Sequence, residues 1–303
     1  MAAPARPRAV PVVEVGGSHA TAAAVDLAGS RIVPGTRHRR PLAADTDADT
    51  FLATLAEVAD GVLTAGTPLH DVWGAAVPGP FDYGRGVARY RGVGKFAALD
   101  GVPVGDRLAP LLRRRPAGIR FLNDAAAFGL GVWQTWRGPG SRLVAVTLGT
   151  GVGSAFLADG AVVEDGPRVP PQGRADLLTI DGGPLEDTVS TRALTARYLD
   201  RTGRHVDGLR ELTGLAARGD TTARDVVDRA LRALGGALAP WLAAFDADAV
   251  VFGGAATAAW HRIGPPLTDA LTAHEPRLAR MGVTVCQDTE RAALLGAAAH
   301  ALA

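Results

Sequence analysis

Two short glycine-rich turns, each directly after an apolar run and about half a chain apart, constrain this sequence more than any other feature: Glu14-Val15-Gly16-Gly17-Ser18-His19 and Leu148-Gly149-Thr150-Gly151-Val152-Gly153-Ser154. The runs around them, Val10 to Val15 with Thr21 to Val25 and Leu143 to Leu148 with Ser154 to Leu157, read as strands, so each turn closes an antiparallel hairpin. Asp159-Gly160 then joins the second hairpin to Ala161 to Val163. Glycine supplies the φ > 0 of an ordinary hairpin, and it also lets bare N–H groups approach a phosphate. Neither turn runs into a helix, as single phosphate-loop fingerprints require. Two hairpin turns facing one another across a cleft can instead hold one polyphosphate from both sides.

Further apolar runs at Val72 to Val77, Ile119 to Leu122 and Val250 to Phe252 alternate with helical patterns. Phe51, Leu55, Val58 and Val62 share one helical face, and Thr222 to Leu242 carries Val226, Leu231, Leu234 and Leu238 at helical spacing. Alternation of this kind predicts an α/β fold. A chain of 303 residues with 47% hydrophobic content is at the size where one core splits, so two lobes with a cleft between them are expected. The 38 glycines and 20 prolines are spread along the chain, which leaves no low-complexity linker, and no internal repeat is visible.

Several classes are disfavoured. The formal net charge is +1, and the basic runs Arg37 to Arg40 and Arg113 to Arg115 are short, lack interleaved aromatics and read as solvated faces, so no nucleic-acid partner is expected. The apolar stretch Leu234 to Phe245 is broken by Pro240 and closed by Asp246, and Met1 to Val10 carries Arg6 and Arg8 without an apolar signal region. A cytoplasmic protein without membrane contact is the expectation. A single cysteine, Cys286, excludes an internal disulfide and any multi-cysteine zinc site. The 32 basic residues include one lysine, Lys95.

Between the glycine turns, Phe121-Leu122-Asn123-Asp124-Ala125 is an apolar strand ending in Asn-Asp before a helical stretch to Trp133. Such residues cap helices. A carboxylate at a strand's C-terminal end can also accept the proton of a hydroxyl as its oxygen attacks a phosphorus. Asn123 and Asp124 can divide these tasks.

Taken together, Val15-Gly16-Gly17-Ser18, Asn123-Asp124-Ala125 and Leu148 to Gly153 resemble the ROK family of bacterial sugar kinases and sugar-responsive repressors. Val77-Pro78-Gly79-Pro80 resembles that family's turn between the lobes, Val250 to Gly254 its adenosine motif and Ala293 to Ala298 its closing helix. The resemblance implies an actin-like, RNase H-like ATPase fold, with residues 1–120 and a C-terminal helix at 290–303 forming the small lobe and 121–289 a large lobe with nucleotide-binding and dimerisation elements. It implies a homodimer that transfers the γ-phosphate of ATP, with Mg2+, to a sugar. Asp124 would be the catalytic base, and Asn123, Glu186, Lys95, Pro78 and Gly79 would contact the sugar. Gly16, Gly17, Ser18, Gly149, Thr150 and Gly151 would hold the phosphates, and Gly253 and Gly254 the adenosine. Glu14 stands where the family has Asp, as a water-mediated Mg2+ ligand, and His19 stands where Lys is common, as a residue expected to face solvent.

The resemblance fails at one segment. Many members carry Gly-Glu-x-Gly-His followed by a zinc-binding cysteine cluster. Here Gly173-Arg174-Ala175-Asp176-Leu177 occupies that stretch, with Arg174 at the glutamate and Leu177 at the histidine, so no zinc is expected. Gly183-Pro184-Leu185-Glu186-Asp187 keeps the acid without the cysteines. Those losses affect contacts near C1 and C2 of the sugar, which points to a hexose or amino-hexose such as kanosamine phosphorylated at its 6-hydroxyl, with Arg174 and Asp176 available to replace the lost contacts. Glucose as substrate and polyphosphate as donor stay open. A catalytically silent sensor is the alternative, and a repressor is disfavoured because the first strand begins by residue 10.

Overall fold

Strands and helices sort into two units with separate cores, Met1–Thr135 with Glu290–Ala303, and Trp136–Thr289. The structure is a computed structural model that describes residues 8–63, 66–136, 138 and 140–303; Arg6 therefore lies outside the described residues. The expected boundary between residues 120 and 121 falls within a strand of the first unit, which continues through the following helix to Thr135.

The first unit runs β1 (Val10–Val15), β2 (His19–Asp26), β3 (Arg31–Ile32), β4 (His38–Pro41), α1 (Ala48–Leu63), β5 (Val72–Val77), β6 (Phe81–Asp82), β7 (Val87–Ala88), α2 (Val104–Leu108), β8 (Gly118–Asn123) and α3 (Asp124–Thr135). Its main sheet has the order β3-β2-β1-β5-β8, with β4 also on β2. The β1–β2 pair is antiparallel, and β1–β5 and β5–β8 are parallel, as crossovers through helices require.

The period-2 alternation of β1 and β2 divides the core into two layers. Val13, Val15, Ala20, Ala22 and Ala24 pack with Phe51, Leu55, Val58 and Val62 of α1, the helical face anticipated from spacing. Val10, Val12, Ala23 and Val25 pack on the opposite face with Leu294, Leu295 and Ala298 of the C-terminal helix. Leu294 and Leu295 are fully buried, each contributing about 1.5–3 kcal/mol by removal from water. That helix lies on α3 at backbone contact distance. A Cβ on Gly296 would overlap the Ala127 carbonyl oxygen and come within 2.7 Å of the Gly131 nitrogen, and one on Gly131 would overlap the Ala292 carbonyl oxygen.

The second unit contains β9 (Arg142–Leu148), β10 (Val152–Ala158), β11 (Ala161–Val162), β12 (Thr179–Ile180), β13 (Gly183–Pro184), α4 (Glu186–Val189), α5 (Thr191–Thr202), α6 (Leu209–Ala217), α7 (Thr221–Phe245), β14 (Ala249–Gly253), α8 (Trp260–His274) and β15 (Gly282–Val285). The C-terminal helix is α9 (Thr289–Leu302). Asp159 and Gly160 both have positive φ, 49° and 81°, the turn a tight β10–β11 hairpin favours. Sheet order is β11-β10-β9-β14-β15, with β9–β10 antiparallel and β9–β14 and β14–β15 parallel. The two sheets thus repeat one plan, a hairpin followed by two parallel strands, although the sequence shows no repeat.

Candidate active site

In open α/β sheets the ligand-binding edge lies at the carboxyl ends of the parallel strands. Sheet register brings the expected residues of the first unit to that edge: Glu14 pairs with Ala76, and Val77 with Asn123. β1 ends at the Gly16-Gly17-Ser18 turn, β5 at Pro78-Gly79, and β8 at Asn123-Asp124. Ser18 and Gly17 are exposed, and the turn is closed by the Gly16 N–H donating to the His19 carbonyl at 2.9 Å.

Asn123 is the cap of α3. Its Oδ1 accepts from the N–H groups of Ala125, at 2.9 Å, and Ala126, at 3.3 Å, while its Nδ2 donates to the Tyr83 hydroxyl at 3.0 Å. Asp124 is the first helical residue, and its Oδ1 also accepts from Ala125 N–H at 2.9 Å. The helix start stabilises this carboxylate's charge. Tyr83, a site residue that no motif signals, donates to the Val77 carbonyl at 3.4 Å and would lie 3.4 Å from a Cβ on Gly79. The buried Tyr90 hydroxyl donates to the Pro78 carbonyl at 2.7 Å, and burial raises its pKa. Pro78, Gly79, Asn123 and Asp124 therefore stand together, fixed by two tyrosines. Lys95 is half-buried in a turn before Phe96, whose ring packs on Phe51 and Tyr90, and it has no ion pair among the described residues.

Glu14 is 8% exposed, on the sheet face covered by α9. Burial, then the nearby carboxylates of Glu290 and Asp124, push its pKa up to about 8 against the opposing pull of Arg39 and Arg37. Glu290, at the start of α9, behaves oppositely. Burial disfavours its charge, but hydrogen bonds from His19 and Arg37 hold its pKa at about 2. His19 does not face solvent as expected: its Nε2 is 3.1 Å from Glu290 Oε2 and 3.7 Å from Glu14 Oε2, and its side chain is 19% exposed. The run Arg37 to Arg40 is likewise more than a solvated face. It forms β4 and the residue before it, and Arg37 and Arg39 reach Glu290 while Arg40 pairs with Glu57.

In the second unit the Gly149–Gly151 turn is clamped from two helices. Glu186, opening α4, accepts from Val152 N–H at 3.3 Å, and a Cβ on Gly151 would run into the same Glu186 oxygen. Thr191, opening α5, donates its hydroxyl to the Gly149 carbonyl at 2.5 Å and its N–H to the Thr150 carbonyl at 3.2 Å. Thr191 was not visible as a site residue, since a threonine after a serine cap is ordinary helix-start chemistry. Glu186 thus touches the glycine turn, a contact that its expected sugar-binding role did not include. Gly253 ends β14, and Gly254, at φ 94°, backs onto the Leu148 carbonyl, where any side chain would clash; its N–H donates to the Thr289 hydroxyl at 2.8 Å. Arg174 and Asp176 form a two-point pair, at 3.1 and 2.5 Å, on a turn held by Ser154, and Leu177 is 41% exposed.

Residues 180–303 match the family model described as "ROK family". A glucokinase of Aeropyrum pernix is 29% identical over 257 residues, spanning 75% of this chain and 78% of that protein. Among solved structures, a ROK hexokinase from Thermus thermophilus superposes with a TM-score of 0.78 at 26% identity, covering 97% of this chain and 98% of that one. A ROK family glucokinase from Streptomyces griseus, solved with glucose and AMPPNP, superposes with a TM-score of 0.69 at 21% identity, over 97% and 99% of the two chains.

Proposed function

The chain belongs to the ROK family of sugar kinases and has its actin-like ATPase fold, and on that premise we propose that it is an ATP-dependent hexose kinase acting on the 6-hydroxyl of a hexose or amino-hexose. The observation that carries this reading is the Asn123-Asp124 pair at the end of β8, braced by Tyr83 beside Gly79, on the strand edge where the Gly16-Gly17-Ser18 turn also lies. Asp124 accepts the proton of the sugar hydroxyl as that oxygen bonds to the γ-phosphorus and the bond to the β-phosphate oxygen breaks, releasing ADP. Asn123, Pro78, Gly79, Lys95 and Glu186 orient the sugar. Gly16, Gly17, Ser18, Gly149, Thr150 and Gly151 offer backbone N–H groups and hydroxyls to the phosphates, and Gly253-Gly254 takes the adenosine.

The residues present fit magnesium, because Glu14 holds a buried carboxylate oxygen, Oε2, that has no hydrogen-bond partner among the described residues. Bound with the nucleotide, magnesium would neutralise phosphate charge. Glu14 is its water-mediated holder in this reading, one methylene longer than the aspartate of the family.

The reading extends to an unusual hexose such as an amino-hexose, because Arg174, paired with Asp176, replaces a sugar-contacting glutamate that an orthodox glucokinase has less reason to lose; glucose stays open. The same reading makes the protein a cytoplasmic homodimer; no described helix is long and apolar enough to cross a membrane. Incubation with ATP, or separately with polyphosphate, and a panel of glucose, mannose, glucosamine, N-acetylglucosamine and 3-amino-3-deoxyglucose, scored by product mass, tests substrate and donor together. A panel that yields no phosphorylated sugar with either donor sinks the enzyme reading and leaves the sensor.

A further inference from the structure

The first unit places three metal-ligand side chains from distant parts of the chain at one point. β1 contributes Glu14, β2 contributes His19, and the first turn of α9 contributes Glu290, all on the same sheet face by the alternation that sends Val12 and Ala23 toward α9. One ligand atom from each lies within 4.8 Å of the other two. Ligands at about 2.0–2.2 Å from a common ion stand roughly 3–4 Å apart, and the His19 Nε2 separations of 3.1 and 3.7 Å fall in that range.

A second observation points to a missing cation. Among the described residues, Glu14 Oε2 is buried without a hydrogen-bond partner and lies 3.7 Å from His19 Nε2. Buried polar atoms are normally satisfied, so an unpartnered carboxylate oxygen aimed at the cluster calls for a ligand. Two carboxylates also meet there in a poorly solvated space. Arg37 occupies the far oxygen of Glu290, Oε1, which leaves Oε2 turned toward His19, the kind of outer contact that fixes a ligating carboxylate. Arg39 approaches Oε2 at 3.8 Å but is more than half exposed and free to swing to solvent.

We infer that Glu14, His19 and Glu290 bind a divalent first-row transition ion directly, at a site separate in chemistry from the magnesium that accompanies a nucleotide. One imidazole nitrogen with two carboxylates suits Mn2+, Fe2+, Co2+ or Zn2+, whereas Mg2+ prefers oxygen ligands and keeps its waters. The ion displaces the protons held on His19 Nε2 and on the Glu14 carboxyl, which pass to solvent. The site shares Glu14 with the magnesium reading above but needs no nucleotide and no sugar, so a nucleotide-free measurement tests it separately from kinase activity.

The test is a titration of the nucleotide-free full-length protein with Mn2+ in about a hundredfold excess of Mg2+, followed by loss of the free-ion electron paramagnetic resonance signal. One Mn2+ per chain is expected, with nitrogen modulation in its spin echo from a bound imidazole. His19→Gln and Glu290→Gln should each weaken binding about 10- to 100-fold. No uptake by the wild type, or uptake without nitrogen modulation, overturns the inference even if both variants misfold. So does an unchanged affinity in a folded variant, which would leave a hydrogen-bonded tether between β2 and α9.

Discussion

Replacing Gly296 by alanine separates two effects that push in opposite directions. Alanine stabilises a helix interior over glycine by about 1 kcal/mol. At position 296 the added methyl would sit 1.8 Å from the Ala127 carbonyl oxygen and 2.7 Å from both its carbon and the Gly131 nitrogen, where carbon contacts need about 3.5 Å or more. All three obstacles are backbone, so α9 must retreat from α3 by more than about 1 Å. Overpacking of this kind costs about 1–3 kcal/mol, and the rigid neighbours put this case at the upper end. The net expectation is a loss of about 2 kcal/mol, a fall in Tm of about 4–8 °C for a unit of this size. Gly214→Ala supplies the contrast. Its methyl meets only the movable end of Arg218, at 3.2 Å, so the propensity term wins and stability rises by about 0.5–1 kcal/mol. Differential scanning calorimetry reads both. A Gly296→Ala protein as stable as wild type would refute the claim that backbone contact sets the α3–α9 distance.

Other expectations concern the site and its surroundings. Asp124→Asn should lower kcat about 100-fold or more while calorimetric sugar binding survives; turnover above half of wild type would reduce Asp124 to a helix start. Glu186→Ala removes the acceptor of Val152 N–H, so it should raise KM for ATP as well as weaken sugar use by about 1–3 kcal/mol in kcat/KM. Lys95→Ala should weaken sugar use by a similar amount, about 1–3 kcal/mol, with KM for ATP unchanged, and an unaltered sugar profile would make Lys95 a bystander. His300 on α9 has its pKa lowered from 6.5, chiefly by burial, with Arg120 adding to the effect and a Phe121 backbone hydrogen bond opposing it. The unfolded chain therefore takes up this proton first, and the contribution is present above pH 6.5 and lost as pH falls through the folded value. The stability difference between wild type and His300→Gln, measured by urea melts across that range, should shrink on acidification; a flat difference refutes it.

Features set by local chemistry were legible. Largely apolar runs gave β1, β5, β9 and β14 nearly to the residue, because a strand buried on both faces tolerates little else, while β8 was marked by Ile119, Phe121 and Leu122 despite its exposed Arg120. Asn123-Asp124 and the glycine turns could be selected because cap and turn chemistry is also phosphate and proton chemistry. What stayed hidden depends on distance or on a local rule being overridden. The run Arg37 to Arg40 reads as solvated charge, yet most of it lies in β4 on β2, and Arg37 and Arg39 reach Glu290, some 250 residues away. Trp260–His274 carries Pro265 and Pro266 inside a helix, where proline normally signals an end. His19 belonged to a turn until α9 brought Glu290 to it. The repeated sheet plan left no trace because topology needs only the apolar pattern, which many residues satisfy.

The discontinuity of the first unit sets an order on synthesis. Its sheet is translated early, but α9, which covers Val10, Val12, Ala23 and Val25, follows only after the roughly 150 residues of the second unit. At ribosomal speeds of about 5–20 residues per second, that apolar face waits uncovered for about 8–30 s. The second unit, whose elements are contiguous, can fold during this interval, while the nascent sheet offers a hydrophobic platform that a chaperone can occupy. Arrival of α9 then acts as the closing step, so a released chain truncated before residue 290 would present one finished half and one sheet still open on a face.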